Sequence, residues 1–240
     1  MQIVLFASLL LVAEVIGTIG GFGSSMLVMP IATAFMPFEK ALGLTAIFHV
    51  LSNAAKMVLF REGFSRRLIL WMGVPAVIGV VIGARAASYL SHDLLRVMLG
   101  ILLVVMALFL LLAPWWRLRA DRRAAIWGGA ISGSVAGVVG TGGAIRGLVL
   151  SAFGLEKSMF IATSAWIDMG VDLSRSVVYF LQGFVEERTW TYLPLLAMIG
   201  FTGTWMGKRI LVHVPQERFR GLVLGLVLVV GAYLLAQPFL

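Results

Sequence analysis

Long apolar runs follow one another along this chain, each bounded by a few charged or turn-forming residues. Runs of 18 or more apolar residues read as transmembrane helices. The pattern predicts an all-α polytopic membrane protein built from two homologous halves. In the first half, short helices over Ile3–Ile16 and Ser24–Phe35 flank a glycine-rich break. Full-length spans follow over Ala41–Phe60, Leu68–Leu90 and Leu94–Ala113. The second half repeats this as short pieces Ala124–Val138 and Ala144–Phe153, then spans Ser158–Leu181, Trp190–Leu211 and Phe219–Ala236. Each half is thus a broken, re-entrant helix pair plus three transmembrane helices.

The repeat is visible in residues as well as in hydropathy. The first break reads Gly17-Thr18-Ile19-Gly20-Gly21-Phe22-Gly23-Ser24-Ser25 and the second Gly137-Val138-Val139-Gly140-Thr141-Gly142-Gly143-Ala144-Ile145-Arg146. A shift of about 120 puts Gly17, Gly20 and Gly23 on Gly137, Gly140 and Gly143. Glu39-Lys40 matches Glu156-Lys157, and Gly63-Phe64 matches Gly183-Phe184. Gly79 and Gly83 match Gly203 and Gly207, which read as packing faces of the GxxxG kind. The expected division is a first repeat over 1–114, a basic cytoplasmic linker over 115–123 and a second repeat over 124–240.

Composition agrees with the membrane reading. The chain is 60% hydrophobic and 12% charged, about half the charged share of a soluble domain. Mean hydropathy is +1.01. There is no cysteine, which excludes disulfides, thiolate nucleophiles and Cys-ligated metals. Met1-Gln2-Ile3 lacks the basic start of a cleavable signal, so mature protein is expected from Ile3 onward. The net charge of +8 reads as basic cytoplasmic loops rather than nucleic-acid binding.

Lys and Arg placement decides between two topologies. Lys56, Arg146 and Arg175 fall inside spans and are left out of the count. If each break lies within one long span, eight basic residues fall on each side. If the chain turns back at each break, Lys40, Arg85, Arg96 and Arg188 lie outside. Arg61, Arg66, Arg67, Arg117, Arg119, Arg122, Arg123, Lys157, Lys208, Arg209, Arg218 and Arg220 then lie inside. The positive-inside rule favours the second arrangement, an inverted repeat with both termini outside.

The third element of each half carries a polar stripe. His49, Asn53 and Lys56 superimpose on Asp168, Asp172 and Arg175 at a shift of 119. The spacing i, i+4, i+7 places each set on one helix face. Ionisable groups cost about 2.5–3.5 kcal/mol each at the centre of a membrane helix, so both faces should turn inward. Asp172 and Arg175 are close enough to pair. Asp168 and Asp172 would repel if both were ionised, which suits one of them to hold a proton. Glu14, just before the first break, and His49 complete the candidates for proton coupling. Structural alternatives stand beside these: Lys56 snorkelling to the interface, or Asp172–Arg175 as a purely structural pair.

The breaks themselves suggest anion chemistry. Backbone N–H groups freed at a new helix N-terminus, beside the Ser24 and Ser25 hydroxyls, form an anion-binding nest. Thr141 and Arg146 occupy the same neighbourhood in the second half, and an Arg there offers bidentate contact to an oxyanion. Glycine-interrupted segments at matching places in two halves point to a transporter's binding site. No P-loop lysine follows Gly20-Gly21-Phe22-Gly23, and the three histidines are too scattered for a metal site. Trp71, Trp115, Trp116 and Trp127 read as interfacial anchors.

With Gly20-Gly21-Phe22-Gly23, Pro30, the second glycine-rich break and the duplicated architecture, the chain resembles the sulfite exporter TauE/SafE family, within the larger group called TSUP. The resemblance covers essentially the whole chain. It departs at the second break, where Leu150 replaces the expected Pro and Arg146 is added. It implies a secondary transporter of the prokaryotic plasma membrane that moves small sulfur-containing or organic anions such as sulfite, sulfonates or sulfoacetate. On this reading the anion is held by Gly20, Gly21, Gly23, Ser24, Ser25, Gly140, Thr141, Gly142, Gly143 and Arg146, with Lys56 and Arg175 flanking it. Glu14, His49, Asp168 or Asp172 would carry a coupling proton, and the repeats would rock to give alternating access. A passive anion channel is the alternative. An intramembrane enzyme using Asp168 and Asp172, with His49 as base, is disfavoured because both carboxylates lie on one helix. No cofactor, metal or nucleic acid is expected; the partners are a small anion and the lipid bilayer.

Overall fold

A computed structural model of the chain describes residues 2–20, 23–113, 118–213 and 216–236. For residues 2, 188, 216–220 and 222 it describes the backbone alone. Gly21, Phe22, Trp115, Trp116 and Arg117 lie outside the described residues, as do the side chains of Arg188, Arg218 and Arg220. The described residues form helices joined by short turns, with no strand among them. The first half contains α1 (Gln2–Gly20), α2 (Ser25–Phe35) and α3 (Phe38–Leu59). A three-residue α4 (Arg66–Leu68), a π-helical turn (Ile69–Gly73) and α5 (Val74–Ala87) then run on as one span, followed by α6 (His92–Leu112). The second half contains α7 (Arg122–Val139), α8 (Gly143–Ser151), α9 (Lys157–Leu181), α10 (Glu187–Thr191), α11 (Leu193–Leu211) and α12 (Gln216–Ala236).

Four helical segments among the described residues are long and apolar enough to cross a membrane by composition alone: Ile3–Gly20, Phe38–Leu59, Arg66–Ala87 and His92–Leu112. All four lie in the first half. The long helix α9 spans 25 residues, yet Asp168, Asp172 and Arg175 interrupt its apolar content. Those three residues face the interior, so the helix remains apolar on its outer side, where Leu173, Val177 and Phe180 are exposed. Exposed Leu70, Val74, Ile78 and Ile82 likewise form an i, i+4 apolar stripe along the Arg66–Ala87 span. A bundle with apolar residues outside and charges within is built for lipid.

Glycine decides how closely the helices approach. A Cβ at Gly129, Gly133 or Gly137 of α7 would strike the carbonyl oxygens of Met72, Ala76 and Val80, and one at Gly83 would strike that of Ser134. These contacts advance together along both helices, so α5 and α7 run parallel, backbone against backbone. The matching pair is α1 and α11, where Gly203 packs on Glu14 and Gly207 on Thr18. Small residues at this spacing bring membrane helices together through van der Waals contact and leave no room for side chains between them. Pro75 and Pro194, also 119 apart, begin α5 and α11.

The chain reverses at both glycine breaks. Phe35, at the end of α2, packs against Phe6 near the start of α1, with ring centroids 5.1 Å apart. Ser24 lies against Gly17, and in the second hairpin Val149 lies against Gly128. Sequence reasoning expected the first helix of each pair to span Ile3–Ile16 and Ala124–Val138. Instead α1 continues to Gly20 and α7 to Val139, giving lengths of 19 and 18 residues. The i→i−4 ladder tolerates a single glycine. At Gly17 the missing Cβ serves to admit Ser24, and at Gly137 to admit Val80 and Ala84. The turns come later, at Gly23 (φ +81°) and Gly140 (φ +82°), in the left-handed region that glycine enters without strain.

Equivalent central helices of the two halves run antiparallel. Lys40 of α3 reaches the Gly183 carbonyl beyond the end of α9, Asn53 meets Asp172 midway, and Ser65 beyond α3 meets Thr163 near the start of α9. Helices α6 and α12 pair in the same sense, with Gly100 against Leu235 and Gly231 against Leu103 and Val104. At one end of the bundle Lys40 faces Glu186 at 3.8 Å and His92 meets Glu39 at 2.5 Å. At the other, Lys208 faces Glu62 at 3.8 Å and Arg67 stacks over Trp71 at 4.1 Å.

Gly133→Leu should force α5 and α7 apart, because a backbone carbonyl cannot turn aside as a side chain can. The expected loss is on the order of 1–3 kcal/mol, read as a lower Tm in detergent. Gly225→Ala, with nothing within 4 Å of the added Cβ, should leave Tm unchanged or raise it slightly. Equal Tm values for Gly133→Leu and the parent would refute the close-packed interface.

Candidate functional site

The two hairpin tips and the middles of α3 and α9 converge on one interior cavity. Its wall contains Gly23, Ser24 and Ser25 from the first tip and Gly140, Gly142, Gly143 and Arg146 from the second. His49, Asn53 and Lys56 come from α3, and Asp168, Asp172 and Arg175 from α9. Thr141 stands behind the wall and donates its hydroxyl to Ser25 Oγ at 2.9 Å, tying the two tips together. Gly20 ends α1 outside the wall, and Gly21 lies outside the described residues. Glu14 sits behind the first tip, fully buried.

Three cations and three carboxylates cancel here. Lys56 Nζ lies 2.7 Å from Glu14 Oε1. Arg175 Nε donates to Asp172 Oδ1 at 2.7 Å, and Asn53 Nδ2 donates to Oδ2 of the same carboxylate at 2.7 Å. Arg146 pairs with Asp168 through Nη1 and donates from Nε to Ser164 Oγ at 2.9 Å. Arg175 also donates from Nη1 to the Gly140 carbonyl at 3.0 Å, while Tyr179 donates to the Gly137 carbonyl at 2.6 Å. These last two bonds satisfy carbonyls left over where α7 ends, as a water-poor interior requires.

One structural alternative is set aside by this geometry. Lys56 does not snorkel to the interface: its side chain is 9% exposed and turned inward onto Glu14. Asp168 and Asp172 each have their own arginine, which offsets their mutual repulsion. Asp172–Arg175 is the pair that the i, i+3 spacing suggested.

Glu14 anchors the first tip. It accepts from Ser24 Oγ and Ser52 Oγ at 2.6 Å each and from Thr204 Oγ1 at 3.2 Å. One carboxylate thereby joins α1, the start of α2, α3 and α11. Sequence reasoning missed Ser52 and Thr204 in this role. It also missed Ser164 and Tyr179, which flank Asp168 and Arg175 at i−4 and i+4 and extend the α9 stripe by a turn at each end. That spacing was available as a signal; the contact of Thr204 with Glu14, across 190 positions, was not.

The cavity offers about 20 Å³ to the centres of water molecules, room for one or two waters. A solute of four or more heavy atoms exceeds that space. Toward the Lys208 end, Lys56 and Asp168 also border a second gap lined by Thr18 and Ser164. Ile19, Phe60, Ile161, Ala162 and Leu211 form an apolar cluster at that end. Among the described residues no group of His, Asp and Glu is arranged to hold a metal ion.

An all-α bundle with an apolar outer surface, two glycine-tipped hairpins and a buried, charge-balanced cavity defines a polytopic membrane protein with a central polar site. The sulfite exporter TauE/SafE family model matches residues 5–234, nearly the whole chain, and the protein belongs to that family. The family is one of multi-pass membrane exporters of sulfite and related anions. No curated protein and no solved structure matches the chain.

Removing one member of a buried ion pair strands the other. Lys56→Met should therefore lower stability by about 3–5 kcal/mol, seen as a large drop in Tm. The double variant Glu14→Gln/Lys56→Met should recover most of it. A Lys56→Met protein as stable as the parent would mean that Glu14 does not depend on Lys56.

Proposed function

We propose that this protein is a proton-coupled secondary transporter that carries a small sulfur oxyanion or organic anion across the plasma membrane by alternating access. The observation that carries the reading is the meeting of two hairpin tips and two charged helix faces at one cavity. Backbone N–H groups at the start of α8, the Ser25 hydroxyl and the Arg146 guanidinium offer an oxyanion several donors at once. Lys56 and Arg175 add positive potential from opposite walls.

Proton coupling follows from charge balance. The empty site is neutral when His49 is neutral, so an entering anion brings an uncompensated buried charge, which is costly. Protonating Asp168 removes one negative charge and frees Arg146 to face the anion. Asp168 suits this exchange better than Asp172, which is held by both Arg175 and Asn53. Glu14, which links its own helix to three others, is better suited to holding the first tip in place than to cycling a proton.

The topology proposed is an inverted repeat, with the halves over 1–114 and 124–240 joined by a cytoplasmic basic linker. The turn-back at each break leaves three spans after each hairpin, and the antiparallel pairing of α3 with α9 agrees with that count. The end bearing Arg61, Arg66, Arg67, Arg122 and Lys208 is then cytoplasmic. The apolar cluster around Phe60 and Ile161 would close the site from that side, and relative movement of the repeats would open it.

Proteoliposomes containing the protein and loaded with labelled sulfite or sulfoacetate should release the anion in response to a pH gradient. Acid on the loading side should increase occupancy, because proton uptake accompanies binding. Flux at channel-like rates and indifferent to pH would indicate a passive channel, and no flux of any small anion would sink the transport reading. Arg146→Ala should weaken sulfite binding by roughly a hundredfold, the loss of two charge-assisted hydrogen bonds. Asp168→Asn should retain sulfite binding but lose its pH dependence. An Asp168→Asn transporter with the parent's pH profile would move the coupling proton elsewhere.

A further inference from the structure

Among the described polar side chains of the cavity wall, His49 is the one whose buried ring nitrogen is left without a partner. It is buried, with 5% of its surface exposed, and its Nε2 has no hydrogen-bond partner. The other buried side-chain atoms without partners, among the described residues, belong to Arg96, Ser158, Ser176 and Gln182, none of which lines this cavity. An unsatisfied polar atom in such a place costs free energy unless something arrives to meet it.

The asymmetry of the halves shows what that something is. His49 stands where the second half has Asp168, at a shift of 119. Arg146, the partner of Asp168, has Met26 as its counterpart at a shift of 120. An ion pair in one half is therefore replaced in the other by an imidazole and a thioether. The charged groups facing the cavity around His49 are Lys56 on its own helix, Arg146 on α8 and Asp168, Asp172 and Arg175 on α9, with Glu14 of α1 behind the wall. Each carboxylate is matched to one of the cations, leaving no free counter-ion for an imidazolium. The ring therefore remains neutral, and a neutral imidazole carries a single N–H.

We infer that His49 is a direct ligand of the transported anion, donating its Nε2 N–H to an anion oxygen, and that it does not carry the coupling proton. This rests on the transport reading above and assigns His49 a different task from Asp168. The anion is then gripped from both halves: by Arg146 and the α8 N-terminus on one side, and by His49 on the other. Phe48, with ring centroids 5.4 Å away, helps to fix the plane of the imidazole.

The chain has three histidines, and the other two lie apart from the cavity: His92 pairs with Glu39, and His213 is exposed beside the Arg209 carbonyl. Histidine-selective ¹⁵N labelling in nanodiscs therefore gives a readable probe. Titration with sodium sulfite should move one imidazole resonance, absent from His49→Gln, with the affinity found for transport. His49→Gln retains an N–H donor near the Nε2 position and should bind sulfite within about threefold of the parent; His49→Leu should bind it at least about tenfold more weakly. Both variants should keep their response to a pH gradient. A His49 resonance unmoved at saturating sulfite overturns the inference even in a protein that transports sulfite. So does a variant that binds sulfite normally but no longer responds to the gradient. A parent protein that binds and moves no anion overturns the transport reading itself.

Discussion

Charge must balance inside this bundle, and the rest of the structure is arranged around that requirement. Lys56, Arg146 and Arg175 lie where lipid-facing helices could not hold them, each against its own carboxylate. A single unmatched charge in such an interior costs several kcal/mol. Most of these groups sit on the central helices α3 and α9, with Arg146 brought in by α8 and Glu14 by α1. The surrounding helices present Leu, Ile, Val and Phe outward.

Balance alone would make an inert core. The glycine-rich tips convert it into a site by bringing backbone ends among the charges. Glycine does two separate things here. At Gly79, Gly83, Gly129, Gly133 and Gly137 its missing Cβ lets α5 and α7 touch through their backbones. At Gly23 and Gly140 its left-handed conformation turns the chain back on itself. The first use makes the scaffold rigid enough for the second to deliver α2 and α8 to the centre. Freed backbone groups there are met by side chains, as with Arg175 and Tyr179 on the carbonyls that end α7.

The two halves share a scaffold but divide the chemistry unequally. Helix pairings repeat: α1 with α11 as α5 with α7, and α3 with α9 across the middle. At the site the symmetry is broken by a few side chains. The first half supplies Glu14, His49 and Lys56, and the second Arg146, Asp168, Asp172 and Arg175. A perfectly symmetric lining would put equal charges opposite each other; the unlike residues at matching positions here give opposite charges that pair. The smaller role of Thr141, which joins the tips through Ser25, belongs to the same cross-half arrangement.

Much of this was legible in the chain. Hydropathy, the 120-residue repeat and the i, i+4, i+7 stripes depend on local periodicity, and burial cost alone sends such stripes inward. They located most of the cavity wall and the close-packed glycine faces. Helix ends were less legible, because a lone glycine such as Gly17 reads as a break but is compatible with an unbroken ladder. Partner choice was legible only for Asp172 and Arg175, whose i, i+3 spacing suggested their pairing. Lys56 on a helix end is as suited to snorkelling as to pairing, and two carboxylates four residues apart look mutually repulsive until an arginine from another helix reaches one of them. The sequence by itself determined an all-α membrane bundle and which faces turn inward. Only the tertiary structure decided which charges neutralise one another and which polar atom is left over. Those outcomes depend on ångström-scale contacts between helices that are far apart in the chain.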